Sequence, residues 1–109
     1  MDQAYINHLV FLSKHGGPSK RTAIASFKNC PKSILKKLAT DKSRAVRLAV
    51  VLNQASDKEV LSEVQSVCDS VVGPLAMIRL GLCDHSKLTE FSKSSSKILS
   101  DQAKQALGA

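Results

Sequence analysis

The chain has no tryptophan, one tyrosine and three phenylalanines, so aromatic residues fill only 4% of its 109 positions. A core without large rings must be aliphatic, built from Leu, Val, Ile and Ala, and that favours helices. Stacking of single-stranded bases requires exposed rings. Here Tyr5 is the sole ring with a polar tip, while Phe11, Phe27 and Phe91 fall at apolar positions. Cysteine is scarce as well: Cys30, Cys68 and Cys83 are odd in number and contain no CxxC pair, which argues against a disulfide framework. A reducing, cytoplasmic setting is expected, with Cys30 and Cys68 as small core residues. Long apolar runs are missing too. The most apolar window, 71–82, includes Gly73, Pro74 and Arg79, against about 20 residues needed to span a bilayer. The start, Met1-Asp2-Gln3, lacks the basic and apolar regions of a signal peptide, so the chain is expected to be mature from residue 1.

Acidic residues are in short supply where they would matter most. Sixteen Lys and Arg face nine Asp and Glu, giving a net charge of +7. Residues 1–47 hold ten basic side chains and two acidic ones, a balance of +8, whereas residues 48–109 balance at −1. Solubilising charge would be spread evenly. This asymmetry predicts a polarised surface and makes polyanions candidate partners. The apolar content of 43% and charged content of 23% are those of a folding globular chain, and the length suits one domain.

The sequence repeats itself. Leu9, Leu35 and Leu61 recur at 26 residues and Leu88 follows at 27; Leu12, Leu38, Val64 and Phe91 keep the same register. Arg21 falls on Arg47, Ala23 on Ala49 and Ile24 on Val50. Within each period two kinds of helix alternate. Ser33 to Ala39 is apolar along one stripe with lysines outside, the pattern of an outer helix. Ala45 to Leu52 is apolar nearly all round, the pattern of an inner helix sandwiched between neighbours.

Boundary residues fit this reading. Pro31 suits a first helical position, Ser43 a cap for a helix from Arg44, and Ser56 with Glu59 a capping box opening a helix over 58–65. Gly73-Pro74 opens a helix running to about Leu82, in which Met77 and Ile78 are expected in the core. A last amphipathic helix over 97–107 can close the stack.

The run Phe27-Lys28-Asn29-Cys30-Pro31-Lys32-Ser33-Ile34-Leu35-Lys36-Lys37-Leu38-Ala39-Thr40-Asp41, followed by Val46-Arg47-Leu48-Ala49-Val50, resembles the leucine-rich repeat variant (LRV), a relative of HEAT repeats. The pattern returns over 53–64 and, more weakly, over 80–91. The resemblance implies an all-α, right-handed α-solenoid of short helix pairs acting as a binding scaffold, mostly for proteins and sometimes for nucleic acid. The iron–sulfur motif of some such proteins is absent, so no cofactor is expected. Approximate units are 1–18, 19–43, 44–69 and 70–93, with a capping helix over 96–107, all in one domain. Asp41 and Arg47 also resemble the HEAT Asp and Arg that tie neighbouring units together. Gly73 stands at the position of Arg47, and His15 at that of Asp41.

Candidate binding residues are the basic ones of the N-terminal half: Lys20, Arg21, Lys28, Lys32, Lys36, Lys37, Lys42, Arg44 and Arg47. Lys32 and Lys36 share a helix face, and such a stripe can track phosphates or meet carboxylates. Readout of base sequence would call for more Arg, Asn or Gln. Enzyme chemistry finds little to work with. His8 and His15 have no acidic or cysteine partner at metal-ligand spacing, so no metal is expected. In Cys83-Asp84-His85, Asp84 serves better as a helix cap than as part of a nucleophilic triad. A base-flipping glycosylase would need aromatic or acidic pocket groups that the basic half lacks. The sequence therefore predicts a non-catalytic module whose basic half meets an acidic protein surface, with sequence-nonspecific nucleic-acid binding as the alternative. No membrane partner is expected, and the open ends of a solenoid leave the oligomeric state unset.

Overall fold

The computed structural model describes residues 3–66 and 71–108. Among these every regular element is an α-helix: α1 (Gln3–His15), α2 (Pro18–Ala25), α3 (Lys32–Leu38), α4 (Arg44–Leu52), α5 (Lys58–Gln65), α6 (Val72–Leu80), α7 (His85–Ser92) and α8 (Lys97–Gly108). Cys68, expected in the core, lies outside the described residues.

Several start signals act one position away from where the sequence suggests. Pro31 is not the first helical residue of α3 but the residue before it, extended at ψ 141°, and its carbonyl accepts from the amides of Ile34 and Leu35. Ser43 precedes α4 without a side-chain cap; its amide instead donates to the Asp41 carboxylate. The cap of α5 is Asp57, which accepts from the Val60 amide, while Ser56 turns inward and donates to the Val50 carbonyl. A carboxylate is a better cap than a buried hydroxyl because it also faces the positive end of the helix dipole. Asp84 caps α7 through the Lys87 amide, as expected. Helix α6 opens at Val72, one residue ahead of Gly73, and stops short of Leu82 because Gly81 adopts a left-handed conformation.

Most helices two apart in the chain pack together. On one side α3 touches α1 and α5; on the other α2, α4, α6 and α8 follow one another, and the molecule extends 46 × 22 × 20 Å. The packing follows the sequence period. Leu9, Leu35 and Leu61 are buried, as are Ile24, Val50, Ala76 and Ala103 at matching positions of α2, α4, α6 and α8. Cys30 joins the same core, and Ile78, Phe27 and Phe91 pack against its edge half-buried. Met77 is half-buried. Each fully buried Val or Leu contributes about 2 kcal/mol, so this register is strongly specified.

Two expectations about burial fail for reasons of position. Phe11 is 58% exposed, its ring 4.9 Å from that of His15. It stands one period before Lys37, the outward-facing place in α3. Helix α4 is not covered all round either: Val46, Val50 and Val51 are buried, but Ala45 and Leu52 are exposed and Leu48 and Ala49 half-exposed. The α2 and α6 neighbours cover the other sides of α4 and leave this stripe open.

Candidate functional site

The nine basic residues singled out by the sequence do not form one stripe. Two serve the fold. Arg21 is buried, and its guanidinium holds the Asp41 carboxylate in a bidentate pair at 2.8 and 3.2 Å while its third nitrogen donates to the Gly16 carbonyl at 2.7 Å. Arg47 donates to the Asp41 backbone carbonyl at 2.6 Å. Asp41 thus gathers α2, the turn before α4 and the first turns of α4 itself, a set of charge-assisted bonds that orders the turn.

Lys32 and Lys36 project from α3 toward the start of α5. Lys32 lies 3.0 Å from Asp57 and 2.6 Å from Glu59, and Lys36 lies 2.6 Å from Glu59. These contacts hold both carboxyls below their usual range, Glu59 through hydrogen bonds from Lys32 and Lys36, Asp57 through the Val60 amide and then Lys32. Both ammonium groups are correspondingly raised, chiefly by Glu59. The four groups are about half exposed, and their charges offset one another before any partner arrives.

The remaining lysines lie elsewhere. Lys37 and Lys42 line an open cup of about 370 Å³ with Ser13, Lys14, Arg21 and Asp41, at the edge where α1 gives way to α2 and α3 to α4. Desolvation, followed by repulsion from Lys14, pushes the Lys37 ammonium below its ordinary value. The one carboxylate in the cup is already held by Arg21 and the Ser43 amide. Lys20 is exposed in the first turn of α2, and Arg44 is exposed in the first turn of α4. Lys28 lies beyond the C-terminus of α2, beside Ser26, Leu52, Asn53 and Gln54 in a shallow recess of about 210 Å³.

That recess runs into a larger groove of about 370 Å³ between α2 and α4, where the open α4 stripe of Ala45, Leu48, Ala49 and Leu52 faces Thr22 and Ser26. Sequence reasoning missed this groove and the place of Lys14 in the cup. It also missed the Asp57 and Glu59 partners, although the 26-residue period carries a signal for them: it sets Ser33 of α3 beside Glu59 of α5.

Among the described residues no three of His, Cys, Asp and Glu come together as a metal-binding group. Cys83 is half-buried ahead of α7, its thiol raised by burial and then by Asp84, opposite to what a nucleophile needs. No described helix is long and apolar enough to cross a membrane. Comparison with known proteins returns no match to a family model, a curated protein or a solved structure, so the likeness to the variant repeat rests on the residues themselves.

Proposed function

We propose that the chain is a right-handed α-solenoid of short helix pairs that works as a non-catalytic binding module, its basic N-terminal half gripping an acidic surface of a partner protein. The alternation of α1, α3 and α5 with α2, α4 and α6 supports the solenoid, as does the burial of matching positions every 26 residues.

The observation that carries the binding reading is the cup of Lys14, Lys37 and Lys42. Like charges repel across it, and its one carboxylate is already engaged. An incoming carboxylate relieves that repulsion, whereas the Lys32 and Lys36 face already has its counter-ions. Sequence-nonspecific nucleic-acid binding keeps one observation on its side. Tyr5 and Phe11 are exposed on α1, the helix that also carries Lys14, and a ring beside a lysine suits a nucleic-acid strand.

Fluorescence anisotropy with an unstructured glutamate-rich peptide and with random-sequence nucleic acid, single-stranded and duplex, separates the two. The protein reading expects peptide binding that charge reversal of Lys14, Lys37 and Lys42 abolishes, with reversal of Lys32 and Lys36 having the smaller effect. Steeply salt-sensitive binding of either nucleic acid with no peptide binding would transfer the reading to nucleic acid. Binding of neither would overturn both.

A further inference from the structure

We propose that the groove between α2 and α4 is a docking site for an amphipathic helix of the partner, one whose apolar stripe is flanked by carboxylates. The proposal deepens the acidic-partner reading and rests on it.

Ala45, Leu48, Ala49 and Leu52 follow the i, i+3, i+4, i+7 pattern by which one helix presents a face to another, and that face is only partly covered, with Ala45 exposed and Leu52 44% exposed. The polar groups at its border make no demand on a ligand. Thr22 Oγ1 donates to the Pro18 carbonyl at 2.8 Å and Ser26 Oγ to the Thr22 carbonyl at 2.9 Å. The Asn53 amide donates to the carbonyls of Ala25 and Phe27, and its oxygen accepts from the Ala55 amide. With its hydrogen bonds satisfied internally, the groove offers apolar contact and little else. That suits leucine-type side chains and not bases or phosphates.

Charge at the margins selects the rest of the ligand. Helices α2 and α4 contain no carboxylate; Arg21 is spent on Asp41, but Lys20 is exposed on α2 and Lys28 stands in the recess that opens from the groove. A basic helix would be repelled by these cations; an acidic one finds counter-ions in them. At about 1.5 Å per residue the nine residues of α4 make a seat for two to three turns of partner helix.

The test titrates the full-length, isotope-labelled chain with a helical peptide carrying leucines at i, i+3, i+4 and i+7 and glutamates elsewhere, followed by NMR. A scrambled peptide of identical composition and vesicles of anionic lipid serve as the other two probes. The helical peptide is expected to shift Thr22, Ser26, Ala45, Leu48, Ala49 and Leu52, and to bind roughly tenfold tighter than the scrambled one, as expected from burying one to two leucines. Ala45→Glu and Leu52→Asp, both at exposed positions, should remove that advantage while leaving the circular dichroism unchanged. Equal binding of both peptides with shifts confined to Lys14, Lys37 and Lys42 overturns the groove but leaves the acidic-partner reading standing. No binding of either peptide overturns both. Vesicles that shift the α4 stripe when the helical peptide does not would assign the face to lipid instead.

Discussion

Asn53 and Arg79 make the same pair of bonds one period apart. The Asn53 amide reaches back 28 and 26 residues to the carbonyls of Ala25 and Phe27, at 2.7 and 2.8 Å. The Arg79 guanidinium reaches back the same 28 and 26 residues to Val51 and Asn53, at 2.6 and 2.9 Å. Each donor satisfies carbonyls left over at the C-terminus of an earlier helix, α2 for Asn53 and α4 for Arg79. Helices α2, α4 and α6 are therefore joined by polar bonds as well as by the aliphatic core.

Removing the first of these donors tests that joint. Asn53 is buried, so Asn53→Ala leaves two carbonyls short of a donor inside the protein and should cost about 1–3 kcal/mol in urea unfolding. Gln54→Ala, one residue along and exposed, should change stability by less than about 0.5 kcal/mol. Equal effects would mean that the Asn53 bonds contribute nothing beyond a surface residue.

The Arg21–Asp41 pair is the other polar joint, with side chains only 10% exposed. Arg21→Met leaves the Asp41 carboxylate without its bidentate partner in a nearly dry site, and about 3 kcal/mol of stability should go with it. Asp41→Asn should be similarly harmful, because it strands the guanidinium. A double-mutant cycle should show that the two losses do not add. Simple additivity would demote the pair to two independent surface charges.

Much of the architecture was legible in the sequence because burial has a period. The spacing of Leu9, Leu35 and Leu61 and the pairing of Ile24 with Val50 place helices where they occur, and the 58–65 and 44–52 helices begin and end as the pattern implies. The site was less legible. A lysine's meaning depends on what lies across the gap from it, and Lys32, Lys37 and Lys28 look alike in the chain yet face two carboxylates, another lysine and an apolar groove respectively. Likewise the all-round apolar character of α4 does not reveal that one of its faces has no neighbour. The 26-residue match of Asn53 to Arg79 was invisible because an amide and a guanidinium share no pattern beyond an N–H.

The cysteines should differ in reactivity. Burial pushes the Cys30 thiol up to about 11, and Cys30 is a member of the core. Cys83 is raised less markedly and is only half-buried. Alkylation at pH 8, followed by peptide mass spectrometry, should label Cys83 well before Cys30. Cys30 should react at the rate of global unfolding, since the thiolate is the reactive form and the native site hides it. Comparable labelling of both would contradict the placement of Cys30 in the core.

Gly81 ends α6 at φ 73°, and the Leu82 amide bonds back to the Met77 carbonyl in the manner of a Schellman turn. A methyl group added there would meet nothing within 4 Å, so the penalty for Gly81→Ala comes from the backbone alone. About 1 kcal/mol is expected in thermal or urea unfolding. No loss would mean that the chain leaves α6 by another route.

The Lys32, Lys36, Asp57 and Glu59 cluster joins α3 to α5 and should give the protein a pH dependence of known sign. Asp57 and Glu59 lie below their ordinary values of 3.8 and 4.5 in the folded chain. The unfolded chain therefore takes up protons first as pH falls, and the stabilisation, complete well above pH 4.5, is lost as pH drops through the folded values. Lys32 and Lys36 are shifted the other way, so their share is complete below 10.5 and fades as pH rises above it. Between those limits the cluster should be insensitive to pH but weakened by salt, because its members face solvent. Thermal midpoints measured from pH 7 to 3 should therefore fall less steeply for Glu59→Gln than for the unaltered chain. Added salt should narrow the gap between the two at neutral pH. Parallel acid profiles would show that the α3–α5 contact is held by Leu35, Leu61 and their aliphatic neighbours without help from these charges.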